Sequence, residues 1–138
     1  MTIVGASSLY PWLGAQATES EATQAIKQIV GASKIRSGRV TLDIPPLVEN
    51  GNSVVLKVSV QSPMTLDDHV RAIHIVAEGN PLPNIVSFHM NHRAARAVVT
   101  TRVRLSDSQR VWAIAQMNDG SYWQGFAATL VTLAACTE

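Results

Sequence analysis

The sequence has very little cysteine, few aromatic residues and little charge. Only one of its 138 residues is a cysteine, which excludes a disulfide-stapled scaffold and a cysteine-rich zinc site. The formal net charge is +1 and charged residues make up 15% of the chain, so nothing indicates a nucleic-acid footprint or a basic patch for a membrane surface. No apolar run approaches the ~18 residues that span a bilayer. The length suits one domain with a real core.

The residues that are abundant favour β-structure. Hydrophobic residues make up 46% of the chain but aromatic residues only 5%, so Val, Ile, Ala and Thr must supply most of the core. Apolar and polar residues alternate in about seven short segments, separated by turn signals such as Asn50-Gly51 and Asn118-Asp119-Gly120. This pattern predicts an all-β fold, an immunoglobulin-like antiparallel β-sandwich of about seven strands over residues 37–133. The predicted strands cover residues 40–44, 54–60, 73–77, 86–90, 99–105, 110–117 and 122–133.

The first 36 residues differ from this pattern. Residues 1–17 are small and apolar and end in Ala-Gln-Ala, which resembles the cleavage site of an export signal, although the positively charged n-region is missing. We interpret them as an export-signal remnant; the alternative is a mature terminus that packs on the domain. In residues 18–36, a capping box from Thr18 to Glu21 precedes one apolar face and Gly31, which predicts a short amphipathic helix. Such a helix would cover a sheet edge or contact a partner.

The single cysteine lies in the last five residues, Ala134, Ala135, Cys136, Thr137 and Glu138. This segment follows the last predicted strand and forms a C-terminal arm. Two interpretations are open from position alone. The thiol is either presented on a short tether or tucked as a small apolar residue under the edge of the sandwich. Because a thiolate is a strong nucleophile, a tethered thiol suits a carrier of covalently bound cargo.

The other chemistry-bearing residues form no recognisable site. The sequence has no glycine-rich phosphate loop, no metalloprotease motif and no serine nucleophile elbow. His89 and His92 flank Met90, a set that suits copper. On a strand, however, His89 and Met90 point to opposite faces, so we interpret these histidines, like His69 and His74, as structural or surface residues. The sequence therefore predicts a protein that is not an enzyme, with no catalytic residue, metal site or cofactor.

Several segments, taken together, resemble the SoxY family, the sulfur-carrier subunit of the Sox thiosulfate-oxidising system. They follow one another in the family's order across most of residues 20–133. The matching segments are Gly38–Pro45, Glu49–Gly51, Val58–Thr65, Ile73–Pro81, Phe88-His89 and Met117–Trp123.

The resemblance implies a non-enzymatic carrier that holds intermediates of thiosulfate or sulfur oxidation as cysteine S-conjugates. The carrier cysteine of the family maps onto Cys136. The resemblance also implies a heterodimer with a SoxZ-like subunit, partner enzymes that oxidise and hydrolyse the cargo, and export to the periplasm.

The arm departs from the family pattern. SoxY chains end in Gly-Gly-Cys-Gly-Gly, whereas here Ala134 and Ala135 precede Cys136, and Thr137 and Glu138 follow it. Alanine loses the positive-φ freedom of glycine, so we expect a stiffer arm. The charge of Glu138 disfavours the thiolate and repels anionic cargo. The alternative function is a β-sandwich interaction module, or a divergent SoxY paralogue without cargo. Cys136 is then incidental or links two chains in a homo-oligomer.

Overall fold

The computed structural model describes residues 17–135, with side chains described from Glu21 onward. Residues 1–16, which hold most of the predicted export-signal remnant, and Cys136 to Glu138 lie outside the described part. Within it, one helix is followed by nine strands. In chain order these are α1 (Ala17–Val30), β1 (Ile35–Ser37), β2 (Val40–Asp43), β3 (Leu47–Val48), β4 (Val54–Val60), β5 (Val70–Ala77), β6 (Asn84–His89), β7 (Ala97–Val103), β8 (Gln109–Met117) and β9 (Tyr122–Val131).

Helix α1 ends where the sequence predicts a stop signal. Gly31 has a φ of 63° and its amide donates to the Lys27 carbonyl at 2.7 Å, which closes the last turn. The chain after Val30 turns and enters β1 at Ile35, so residues 18–36 hold most of the helix and the start of this strand. The capping box predicted at Thr18 falls on a side chain outside the described set. No helix in residues 17–135 is long and apolar enough to cross a membrane.

The strands form two sheets that pack face to face. The larger has the order β1-β9-β8-β5-β6, with β3 also beside β9, and the smaller has the order β2-β4-β7. All pairings are antiparallel except those of β1 and β3 with β9, which are parallel. The predicted all-β sandwich of about seven strands is confirmed. The two additional strands, β1 and β3, are only three and two residues long, too short to show a period of two in the sequence.

The core lies between the two sheets and follows the alternation of the strands. In β4, Val54, Leu56, Val58 and Val60 are buried, whereas the residues between them are more exposed. Strand β5 is buried on both faces because α1 covers the outer face of the larger sheet. There, Val30 of the helix joins a second small cluster. The other buried members of that cluster are Val76, Ile114 and Tyr122.

One core residue comes from the segment that connects β4 to β5. Met64 lies between β4 and β5, yet it is buried in the main cluster, with a φ of 53°. Its Sδ accepts the amide of Val70 at 3.4 Å, and its own amide donates to the hydroxyl of Ser62. The unbranched thioether therefore closes the end of the sandwich from within a loop.

We expect Leu56→Ala to lower the free energy of unfolding by about 2–5 kcal/mol, since Leu56 is 0% exposed at the centre of the sandwich. The matched control is Leu66→Ala, the same substitution at a loop side chain that is 69% exposed. Urea denaturation followed by circular dichroism measures both variants. Equal losses of stability would contradict the assignment of the core.

Candidate functional site: the junction of the C-terminal arm

The chain stays attached to the sandwich after β9 ends at Val131. The Val131 amide donates to the hydroxyl oxygen of Ser108 at 2.8 Å. The next amide, that of Thr132, donates to the Val48 carbonyl at 2.9 Å. The last predicted strand therefore ends two residues earlier than residue 133, but the segment leading to the arm does not leave the surface there.

The backbone then meets Gly51 and Leu105 in a set of contacts that we call the arm junction, formed by Gly51, Leu105, Leu133 and Ala135. The Gly51 amide donates to the Leu133 carbonyl at 2.7 Å, and the Leu105 amide donates to the Gly51 carbonyl at 2.9 Å. The Ala135 amide in turn donates to the Leu105 carbonyl at 3.1 Å. Each such bond contributes about 0.5–1.5 kcal/mol net. The junction joins the segment before β4, the segment after β7 and the segment after β9.

Gly51 fits the junction because it has no side chain. A Cβ on Gly51 would come within 3.0 Å of both the Leu105 carbonyl oxygen and the Ala135 amide nitrogen, a separation that real side chains do not show. It would also lie 3.1 Å from a methyl of Val131. The turn signal Asn50-Gly51 predicts a glycine with a role in the turn. The structure gives it a further role, the close approach of three backbone segments.

A buried asparagine holds the chain on the far side of the junction. Asn80 is 7% exposed, and its amide nitrogen donates to the Arg104 carbonyl at 2.8 Å. Its carbonyl oxygen accepts from the Ser106 amide at 3.0 Å and from the Gln109 side chain at 3.0 Å. These bonds fix the residues on both sides of Leu105. This role of Asn80 is not predictable from the sequence, since the only signal for it is a turn composition around residues 79–83.

The predicted arm residues divide between those that the structure describes and those that it does not. Ala134 is exposed, whereas Ala135 is only 9% exposed and bonded to Leu105. The predicted attachment residue Cys136, with Thr137 and Glu138, lies outside the described residues. The structure therefore describes the arm up to the residue before the thiol.

The opposite end of the sandwich has its own polar network. Asn118 closes the turn between β8 and β9: its side-chain oxygen accepts the His69 amide at 3.0 Å and its amide nitrogen donates to the Asp67 carbonyl at 3.0 Å. Close by, Arg39 lies 5.1 Å from the ring centre of Trp123 and pairs with Asp68 at 3.5 Å. These contacts are structural and lie at the other ends of the strands from the arm.

The four histidines form two separate pairs. The rings of His69 and His92 are 5.7 Å apart, and those of His74 and His89 are 6.2 Å apart. Nδ1 of His74 is 2.6 Å from the hydroxyl of Ser87. Burial lowers the pKa of His74 below its ordinary value, and the nearby His89 lowers it further. Within residues 17–135, no group of three or more His, Cys, Asp or Glu side chains is placed to hold a metal ion.

The lowered pKa of His74 makes stability depend on pH. Below the ordinary value of about 6.5, the unfolded chain binds a proton at this residue more readily than the folded chain. The free energy of unfolding should therefore fall as the pH drops below that value. We expect His74→Gln to make the fall of Tm between pH 7 and pH 5 shallower. His92→Gln, which removes one imidazole from an exposed turn, is the control. If Tm falls as steeply between pH 7 and pH 5 in His74→Gln as in His92→Gln, this prediction is wrong.

We expect Asn80→Ala to cost about 1–3 kcal/mol of stability, since it leaves the Arg104 carbonyl and the Ser106 amide without their partner. The control is Asn84→Ala, at an exposed position at the start of β6, where a change within about 0.5 kcal/mol is expected. Thermal denaturation of the two variants measures the difference. A loss no larger than that of Asn84→Ala would show that the Asn80 bonds do not stabilise the turn.

Comparison with solved structures places the sandwich among known folds. The sulfur carrier protein SoxY from Chlorobium limicola f thiosulfatophilum has a TM-score of 0.69 and 23% identity, over 83% of this chain and 98% of that chain. A superoxide reductase (neelaredoxin) variant from Ignicoccus hospitalis has a TM-score of 0.59 and 20% identity, over 78% and 86% of the two chains. A putative superoxide reductase from Thermotoga maritima has a TM-score of 0.60 and 20% identity, over 72% and 93%. At these identities the likeness shows the fold alone.

The sequence itself matches a family. A search of the curated proteins gave no match. Residues 26–136, however, match the family described as sulfur oxidation protein SoxY. That range covers well over half of the chain and includes helix residues, the whole sandwich, the arm junction and Cys136. The chain therefore belongs to the SoxY family, whose members are sulfur carrier subunits of sulfur oxidation and not enzymes.

Proposed function

We propose that this protein carries intermediates of thiosulfate or sulfur oxidation covalently on the thiol of Cys136. The observation that carries the proposal is the family match, which extends through residue 136 and so includes the only cysteine of the chain. The arm junction supports it, because the sandwich holds the backbone up to the residue before the thiol. A carrier needs a fixed point on the domain from which the arm extends more than it needs a binding pocket.

Loading thiosulfate onto the carrier needs two proteins: this chain supplies the thiolate, and a partner enzyme accepts the electrons. Joining the sulfane sulfur of thiosulfate to the Cys136 thiolate forms one S–S bond and releases two electrons, so a partner oxidising enzyme must accept them. Hydrolysis of the resulting S-thiosulfonate takes up one water, releases sulfate and two protons, and leaves a persulfide on Cys136. The carrier supplies only the sulfur nucleophile.

The same proposal includes partners and location. We expect a heterodimer with a SoxZ-like subunit, transient complexes with enzymes that oxidise and hydrolyse the cargo, and a periplasmic location after export. Exposed Arg104 adjoins Leu105 of the arm junction and brings positive charge to this end of the sandwich. That charge favours an anionic sulfur adduct near this end of the sandwich.

The test is the intact mass of the protein purified from its native host during growth on thiosulfate. We expect species heavier than the bare chain by one sulfur atom or by a thiosulfonate group. A reductant should remove these adducts, since both are joined to the protein by S–S bonds. Peptide mapping assigns the added mass to Cys136.

Cys136→Ser from the same host is the control for this measurement. Serine keeps the size of the side chain but cannot form an S–S bond, so the adducts should be absent and growth on thiosulfate should fail. A wild-type protein with a bare thiol under these conditions would contradict the carrier function. Normal growth of the Cys136→Ser strain would contradict it as well.

One observation favours the second candidate, a β-sandwich interaction module with no cargo. Three large apolar side chains are exposed along one edge of the larger sheet, namely Leu47, Phe126 and Leu130. Leu47 and Leu130 are directly paired across β3 and β9, so they form one continuous apolar surface. A bare thiol together with stable binding to a second subunit or a second copy would favour this function.

A further inference from the structure

The smaller sheet ends in β7, a strand that has a hydrogen-bonded neighbour on one side only within residues 17–135. Its neighbour is β4, since the sheet has the order β2-β4-β7. The strand is seven residues long, with the sequence Ala-Val-Val-Thr-Thr-Arg-Val, and most of its residues are β-branched. A regular edge strand of this length is a template on which another extended chain can pair.

The hydrogen bonds of β4 show which backbone groups lie on the unpaired edge of β7. The amide of Gln61, directly after β4, donates to the Arg39 carbonyl at 2.8 Å, so odd-numbered residues of this strand face β2 and even-numbered ones face β7. The residues of β7 that pair with these even-numbered residues are themselves odd-numbered. The backbone groups that point away from β4, which we call the free edge, are therefore those of Val98, Thr100 and Arg102.

The side of the sandwich next to the free edge leaves part of the core uncovered. Strand β2 lies against β9, so β7 lies at the opposite side, where the larger sheet ends in β6. Side chains of both end strands pack on the main core and are still partly exposed, namely Val86 and Phe88 of β6 and Val99 and Val103 of β7. A strand added to β7 would place alternate side chains toward this gap and bury more apolar surface.

The chain around β7 is basic. Residues 79–106 contain four arginines and no Asp or Glu. The four arginines, all exposed, are Arg93, Arg96, Arg102 and Arg104. Neither salt bridge between described residues involves one of them, and Arg102 bonds only the hydroxyl of Ser53, at 3.1 Å. The solvent-facing side of an added strand would therefore meet positive charge, which favours acidic residues there.

We propose that the free edge of β7 binds an extended segment of a partner protein in which acidic and apolar residues alternate. The backbone of the segment pairs with the free edge, its apolar side chains cover the gap between β6 and β7, and its carboxylates face the arginines. A second copy of this chain would instead bring the arginines of two β7 strands together, and like charges on paired strands are destabilising. This inference does not depend on the carrier function of Cys136.

The probe is the synthetic peptide acetyl-Glu-Val-Glu-Val-Glu-Val-Glu-amide, titrated into the isotope-labelled protein and followed by NMR. On binding, the amides of Val98, Thr100 and Arg102 should exchange with solvent at least about tenfold more slowly, because they gain hydrogen-bond partners. The Val99 amide, which already faces β4, should change by less than about threefold. Equal changes at Val99 and Thr100, or no binding at about 1 mM peptide, would overturn the proposal.

Thr100→Pro tests the backbone of the free edge. Proline removes an amide that points away from β4, so the bonds between β4 and β7 remain. We expect the peptide to bind at least about tenfold more weakly. The matched control is Thr100→Ala, which keeps the amide and should bind within about twofold of the wild type. Equal affinities of the two variants would overturn the proposal.

A test of charge applies even where Thr100→Pro does not fold. The peptide with lysine in place of each glutamate should not bind, and Arg102→Gln should weaken binding of the glutamate peptide at least about threefold. The control is Lys34→Gln, which removes an exposed positive charge between α1 and β1, on the other side of the sandwich. Binding of the lysine peptide, or equal affinities of Arg102→Gln and Lys34→Gln, would overturn the proposal.

Self-association is measured before any peptide is added, by analytical ultracentrifugation and by exchange of the Thr100 amide. We expect no protection of this amide that depends on protein concentration. A dimer in which the Thr100 amide is protected, and loses that protection on dilution, would overturn the proposal in favour of a second copy of the chain.

Discussion

The close approach of three backbone segments at Gly51 is the constraint on which this end of the protein depends. Strand β4 belongs to the smaller sheet and begins just after Gly51, β7 ends just before Leu105, and β9 of the larger sheet ends just before Leu133. The two sheets are therefore joined here by backbone hydrogen bonds as well as by core packing. Because peptide groups of the other two segments occupy the space that a Cβ on Gly51 would need, the contact requires glycine.

Three of the segments that carry the family resemblance reach the ends of the sandwich. Glu49–Gly51 and Ile73–Pro81 are far apart in sequence, yet Gly51 and Asn80 both hold Leu105 and its neighbours at the arm end. Met117–Trp123 lies at the other end, where Asn118 and Trp123 close the turns. These three segments thus each include a residue that fixes a loop, where few alternatives satisfy the same hydrogen bonds.

The strands and the helix stop were predictable because each depends on local periodicity or local conformation. Alternation in β4 and the helix end at Gly31 are examples, and both are confirmed. The strands β1 and β3 were not predictable, since two or three residues carry no period and their pairing with β9 is decided by tertiary contact. The burial of Met64 was not predictable from the sequence for a related reason, because a loop that folds back into the core has no repeating pattern.

The candidate site was predictable only in its chemistry. A single cysteine near the end of the chain and the family resemblance identify Cys136 from the sequence, and that assignment stays a prediction because the residue lies outside the described part. The junction that precedes it was not predictable, because it consists of backbone amides and carbonyls that any residue type supplies. Of the residues that form or support the junction, only Gly51 and Asn80 are of a type that the sequence marks, and their type predicts no more than an ordinary turn.

The same sandwich occurs in superoxide reductases, which shows that the scaffold by itself does not determine what a chain of this fold does. In the chain described here the inward faces of the strands are filled by aliphatic side chains that pack together. At one end a rigid junction, fixed by a buried leucine and a buried asparagine, holds the backbone as far as Ala135.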